Sequence, residues 1–218
     1  MQNNIDRLSG RNSHPNTLTG IQTDTLHPQK TEHPISKPAI DLWKIGEKLE
    51  FNDTRERSNG QRSEGIMTFG PGKKGPVTHA HTKQLEGFEV ISGIMVAVVN
   101  GKEVVAHAGD TIIVEANEDH SFINGSSTEP LVAKFWYEPA LNTEWMLQTL
   151  GEDAMKNGGD WEKVPLLTMI YVMYKMRHEY RLSGIPVWLQ NILFGMGAAI
   201  AKWTGAAKKI QLPISSVG

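Results

Sequence analysis

Two histidines stand one residue apart in the segment Pro76-Val77-Thr78-His79-Ala80-His81. On a strand, side chains at i and i+2 point to the same face, so His79 and His81 reach toward one point. The polar turn Thr82-Lys83-Gln84 follows, and the next strand carries Glu86, Phe88 and Val90 on one face. With that face turned toward the histidines, Glu86 becomes a third ligand. In the segment Gly109 to Asn124, the same alternation puts His120, Phe122 and Asn124 on one face. His120 would complete a set of three imidazoles and one carboxylate. Such a set suits a divalent first-row metal and leaves coordination positions for water or substrate. The ligands must shed protons to bind, so metal affinity is expected to fall in acid. Phe88 and Phe122 share the ligand face and are the aromatic candidates to line a substrate pocket, although core packing is the more usual role for aromatics in strands. Asn124 is a candidate hydrogen-bonding group for substrate.

The elements that must position these residues read as strands. From about Ile40 to Glu138, short runs rich in Val, Ile, Thr and Phe are punctuated by Gly70-Pro71-Gly72, Asn100-Gly101, Gly109-Asp110 and Asn124-Gly125. Asn100-Gly101, between Ile94–Val99 and Glu103–Ala106, is a hairpin signal, because both residues tolerate the positive φ of a type I′ turn. Turn signals recur every ~8–12 residues, which predicts a sandwich or barrel.

After Pro139 the period changes. Asn142 is placed to cap a helix through Trp145, Met146, Leu147 and Leu150, stopped at Asn157-Gly158-Gly159. A second helical run holds Leu166, Leu167, Ile170, Met173, Tyr174 and Arg177, ended by Gly184 and Pro186. A third holds Leu189, Ile192, Leu193, Met196, Ile200 and Trp203. Packing against each other or against the barrel is the preferred reading of these amphipathic helices. The late lysines Lys202, Lys208 and Lys209 would also suit contact with an anionic membrane surface, a reading ranked below packing. Tyr171, Tyr174 and Tyr180 are likewise assigned to packing on helical spacing.

These motifs resemble the cupin superfamily, in the manner of a small quercetin-dioxygenase-like barrel. Its first motif, G-x5-H-x-H-x3,4-E-x6-G, is met by His79, His81, Glu86 and Gly93, while Lys73 occupies the leading glycine position between Gly72 and Gly75. Its second motif, G-x5-P-x-G-x2-H-x3-N, is met by Gly109, His120 and Asn124. Glu115 stands at the proline position and Asn117 at the second glycine, where Asn can supply the left-handed conformation. The resemblance covers roughly residues 60–139. It implies an all-β cupin/jelly-roll β-barrel, here with a C-terminal α-helical extension. With the composition of the first segment and the helical period after Pro139, the chain divides into an N-terminal arm (1–38), barrel (39–139), helical extension (140–210) and tail (211–218). The resemblance also implies one metal ion held by His79, His81, Glu86 and His120: iron, manganese or nickel first, zinc or copper as alternatives.

The 218 residues carry 22 basic and 24 acidic side chains, for a net charge of -2. That balance gives no electrostatic reason to expect nucleic acid as a partner. The absence of cysteine excludes disulfides, thiolate metal sites and a cysteine nucleophile. Residues 1–38 hold four prolines, with three His-Pro pairs at His14, His27 and His33, and read as an extended or disordered arm. The beginning MQNNIDRLSG lacks the apolar core of a secretory signal, so a cytoplasmic location is expected.

The resemblance implies a small-molecule substrate, a homodimer and, as first expectation, a dioxygenase-type oxidoreductase in which Glu86 could also act as a base. The alternatives are a non-catalytic small-molecule-binding protein and a metal-dependent isomerase or lyase, since one fold hosts many reactions.

Overall fold

A computed structural model of the chain describes residues 39–210. The expected arm, 1–38, and tail, 211–218, lie outside the described residues. Among the described residues, eleven strands form two antiparallel sheets, and three helices follow the tenth strand. One sheet has six strands in the order β1 (Ala39–Leu42), β2 (Glu47–Asp53), β3 (Ser63–Phe69), β10 (Leu131–Glu138), β5 (Leu85–Ser92) and β8 (Thr111–Val114). The other has five, in the order β11 (Tyr180–Leu182), β4 (His79–His81), β9 (His120–Asn124), β6 (Ile94–Val99) and β7 (Lys102–His107). The strand and turn pattern predicts a sandwich or barrel, and the two sheets form the jelly-roll barrel that the resemblance implies.

Alternation builds the core. In β3 every second residue, from Ser63 through Gly65 and Met67 to Phe69, is buried. Phe51, Met67, Phe69, Phe88, Val90, Met95, Phe122, Leu131 and Phe135 belong to one buried cluster. Edge-to-face contacts join Phe51 to Phe135 at 5.4 Å and Phe69 to Phe122 at 5.0 Å. Each such side chain taken fully from water contributes about 1.5–3 kcal/mol.

The turns follow their residues. Asn100 (φ 49°) and Gly101 (φ 77°) join β6 to β7 in a tight hairpin. Asn117, in the position where a glycine was expected from the motif, takes φ 72°. Gly93 has φ +87°, and a Cβ there would meet the Pro130 carbonyl oxygen at 2.5 Å, so both conformation and space demand glycine.

The C-terminal part contains α1 (Thr143–Lys156), α2 (Leu166–Met176) and α3 (Val187–Trp203). α1 lies against β1, where Gly151 admits the side chain of Ile40. α3 lies against α2 with its small residues inward. Two local expectations change. Asn142 precedes α1, but its side chain makes no capping bond. Instead its backbone N–H and Nδ2 donate to Glu179 at 3.0 and 2.8 Å, and its Oδ1 accepts from Arg55 at 3.0 Å. The second helical run also stops early, at Met176. A turn closed by the Glu179 N–H to the Met176 carbonyl then releases the chain into β11, which pairs with β4. Tyr180 therefore lies on a strand, because sheet pairing overrides the helical spacing read from residues 166–177.

Candidate metal centre

Strand register assembles the site. His79 on β4 pairs directly with His120 on β9. His81, two residues on, pairs with Tyr180 of β11. On the six-stranded sheet Glu86 of β5 pairs with Tyr137 of β10. Directly opposed residues in an antiparallel pair point to one face, so both sheets aim polar side chains into the barrel interior at this end. One ligand atom from each of His79, His81, Glu86 and His120 lies within 4.8 Å of all the others, and all four residues are buried.

Each imidazole is held by its far nitrogen. His79 Nδ1 lies 2.8 Å from the Val77 carbonyl oxygen, and His120 Nδ1 lies 3.0 Å from that of Glu118. A carbonyl only accepts, so Nδ1 of both rings carries a proton and Nε2 is the nitrogen left to bind a metal, His120 giving up its Nε2 proton to do so. His81 Nδ1 lies 2.9 Å from Gln84 Oε1. The Gln84 amide is oriented by its Nε2, which donates to the carbonyls of Pro139 (2.9 Å) and Ala140 (3.3 Å). Its Oε1 also accepts from the Thr143 hydroxyl at the start of α1. Fixing the ring through the remote nitrogen is how metal-binding histidines are set in orientation and tautomer.

The near nitrogens converge on one oxygen. His120 Nε2 is 2.7 Å from Glu86 Oε2, and His81 Nε2 is 3.2 Å from the same atom. His81 Nε2 nevertheless has no hydrogen-bond partner, which leaves a buried nitrogen unsatisfied. An uncompensated buried polar atom costs about 1–3 kcal/mol. A cation at the meeting point would satisfy His81, His79, His120 and the carboxylate together, so this donor set fits a divalent first-row metal.

The electrostatics lead the same way. Burial would raise the Glu86 carboxyl, but the hydrogen bond from His120 and the two close imidazoles outweigh it and hold it well below the usual carboxylate range. Burial pushes His79 down to about 3, against the attraction of Glu86, so the ring stays neutral and able to ligate. Burial also opposes charge on His120, yet its hydrogen bond and Coulombic contact with Glu86 prevail and raise it above the ordinary histidine value.

Two tyrosines complete the surroundings. Tyr137 hydrogen-bonds to Glu86, and burial, then the carboxylate charge, push its phenol well above the usual value. Tyr180 stacks on His79, and burial followed by Glu86 raises its phenol too. The sequence does not mark Gln84, Thr143 or Tyr137 for this role. The available signals are slight: Gln84 sits in the turn between two ligand strands, and Tyr137 is a polar-tipped aromatic at an inward position of β10.

Phe88 and Phe122 are buried against each other at 5.5 Å within the core cluster. Asn124 donates through Nδ2 to the carbonyls of Phe69, Gly70 and Glu129, and its Oδ1 accepts from Ser126 N–H. That side chain ties three chain segments together, and its donors are already taken. His107 and His178 are exposed.

Comparison with known proteins places residues 65–137 on a family model described as "Cupin domain". A stretch of 70 residues is 40% identical to the "Probable oxidoreductase virH" of Hypocrea virens, covering 31% of this chain and 32% of that protein. The match thus spans about a third of that relative's length. Among solved structures, a "predicted oxalate decarboxylase" from Thermotoga maritima is 25% identical, with a TM-score of 0.41, over 48% of this chain and 93% of its own. An RmlC-like cupin from Shewanella frigidimarina is 21% identical, with a TM-score of 0.41, over 50% and 88%.

Proposed function

Residues 65–137 of this chain are a cupin domain, and from that premise we propose that the protein is a metal-dependent oxidoreductase of dioxygenase type, acting on a small organic molecule in the barrel. The observation that carries the reading is the clustering of one ligand atom from each of His79, His81, Glu86 and His120, with each Nδ1 spoken for by the chain itself. The likeness to a probable oxidoreductase over 70 residues supports redox chemistry over other uses of the same ligands.

His79, His81, Glu86 and His120 would hold one iron, manganese or nickel ion, with zinc or copper as alternatives. Any of these ions would supply a Lewis-acidic centre, and iron, manganese, nickel or copper a redox-capable one, which zinc is not. The chain's own residues do the rest. Val77, Gln84 and Glu118 fix the three imidazoles in orientation through their Nδ1 atoms. Glu86 is a ligand and the carboxylate of the cluster, and thereby the group placed to take a proton from substrate. The Tyr180 ring covers His79 and excludes water from that side.

Elemental analysis of protein purified without chelator, followed by oxygen-uptake assays with aromatic and enol-type substrates, tests this. The expected result is about one metal ion per chain, lost in His79→Ala, with oxygen consumed on turnover. Turnover without oxygen consumption would replace it by isomerase or lyase chemistry. Failure to take up metal, with an unchanged small molecule co-purifying, would replace it by a binding role.

A further inference from the structure

α3 turns two unlike faces to its surroundings. Toward α2 it presents small residues: Gly197, Ala198 and Ala201 are buried, and a Cβ on Gly197 would meet Ile170 Cγ2 at 2.3 Å. Outward it presents Trp188, Ile192, Leu193, Met196, Ile200 and Trp203. Trp203 is 88% exposed, Trp188 65% and Met196 62%, so these are not the margins of a buried stripe. Positions 188, 192, 196, 200 and 203 follow one another at helical spacings of four and three, which makes a single continuous band. At 1.5 Å per residue the band is about 22 Å long. An apolar patch of this kind on a protein surface marks a contact with a protein, a ligand or a membrane.

Charge decides among them. From Tyr180 to the last residue the chain contains no Asp or Glu, while it contains Arg181, Lys202, Lys208 and Lys209. Arg181 is neutralised by Asp119 at 2.7 Å. The three lysines are exposed, and none is ion-paired with another described residue. They gather at the end of the band beside Trp203. An unopposed cationic cluster next to an apolar band complements a surface that is both negative and apolar a few ångströms down, which describes an anionic bilayer. Tryptophans at the two ends of the band suit the headgroup level, where one edge of the indole is wet and the other is not. The helix would lie in that plane, since no helix among the described residues is long and apolar enough to cross a membrane.

We propose that the outward face of α3 is a membrane-contact surface, which seats the protein on anionic lipid with the apolar band in the headgroup–acyl boundary and Lys202, Lys208 and Lys209 among the headgroups. This assignment is independent of the metal centre and of the reaction proposed above.

The test is flotation of the full chain with phosphatidylcholine vesicles, with and without phosphatidylserine, at low and high salt. The expected result is co-flotation with serine-containing vesicles at low salt, weakened by added salt. The triple variant K202Q/K208Q/K209Q should bind roughly 100-fold more weakly, from about fivefold per lysine. The variant M196Q/W203S should lose at least about tenfold while keeping its circular dichroism and metal content. Because the three lysines are exposed, the charge variant keeps the test decisive even if the apolar variant misfolds. Absence of flotation at low salt overturns the proposal, as does equal binding to vesicles lacking phosphatidylserine. A solution dimer that M196Q/W203S converts to monomer, in protein that ignores vesicles, would assign the face to a second copy instead.

Discussion

The ring of Tyr180 lies over that of His79, with centroids 4.7 Å apart and planes inclined by 23°. A residue of the C-terminal extension therefore forms one wall of a centre whose four candidate ligands all come from the barrel. Tyr180→Ala should lower metal affinity by about tenfold, the usual scale for removing a group that supports a ligand. Tyr180→Phe keeps the stacked ring and should leave affinity unchanged. Competition against a chelator of known affinity measures both.

Gln84 links His81 to two carbonyls and to the Thr143 hydroxyl. In Gln84→Leu, His81 Nδ1 loses its acceptor and the Pro139 and Ala140 carbonyls lose their donor. Metal affinity should fall about 10–100-fold, and the metal-free protein should lose about 1–3 kcal/mol. Thr143→Val removes one donor to Gln84 and leaves the His81 acceptor in place, so its effect on affinity should be much smaller. Metal titration beside urea denaturation separates the two effects.

Glu47 supplies a pH dependence remote from the centre. Burial raises its carboxyl, against the hydrogen bond from Trp161 Nε1 and the attraction of Lys73. Its folded pKa lies above the unfolded one, so folding takes up a proton. The stabilisation is therefore fully present below the unfolded value near 4.5 and is lost as pH rises through the folded value. Glu47→Gln keeps an acceptor for Trp161 and should flatten this part of the stability–pH curve. It should also raise Tm relative to wild type at neutral pH. Thermal melts in matched buffers across the acid-to-neutral range give the answer.

Gly87 sits under the indole of Trp136, where a Cβ would lie 2.0 Å from Cε2. Gly87→Ala must displace a ring that is itself buried and covered by the Arg62 guanidinium at 4.7 Å. The cost should be about 1–3 kcal/mol, as for other overpacked sites. Because Gly87 adjoins Glu86, metal content should fall as well. A denaturant melt and elemental analysis on the same sample check both effects.

The meeting with Glu86 and His120 joins separate strands and was legible only through the cupin motifs; the strands and the shared face of His79 and His81 were legible because alternation acts over two residues. The Asn100-Gly101 hairpin and the left-handed Asn117 were legible for the same reason, as local backbone preferences. Gln84 was not, since its role depends on Thr143, 59 positions away, and on the carbonyls after β10. Asn142 reads as a helix cap from its neighbours, yet its Oδ1 accepts from Arg55, 87 residues earlier, and Glu179, 37 residues on, takes its donors. Tyr180 follows a helical run and was read with it. Only the pairing of residues 180–182 with β4 shows that the helix has already ended.

That pairing also bears on the order in which the molecule comes together. β4 is three residues long and is joined to β9 through the single pair His79 and His120. Until residues 180–182 return to it, one flank of the His79–His81 segment offers bare amides and carbonyls, the kind of border through which chains adhere to one another. The return closes a loop of roughly a hundred residues, a slow, late event in folding. A nascent or partly denatured chain would thus hold the histidine pair on its least protected strand. The return that lays Tyr180 on His79 would also cover that border.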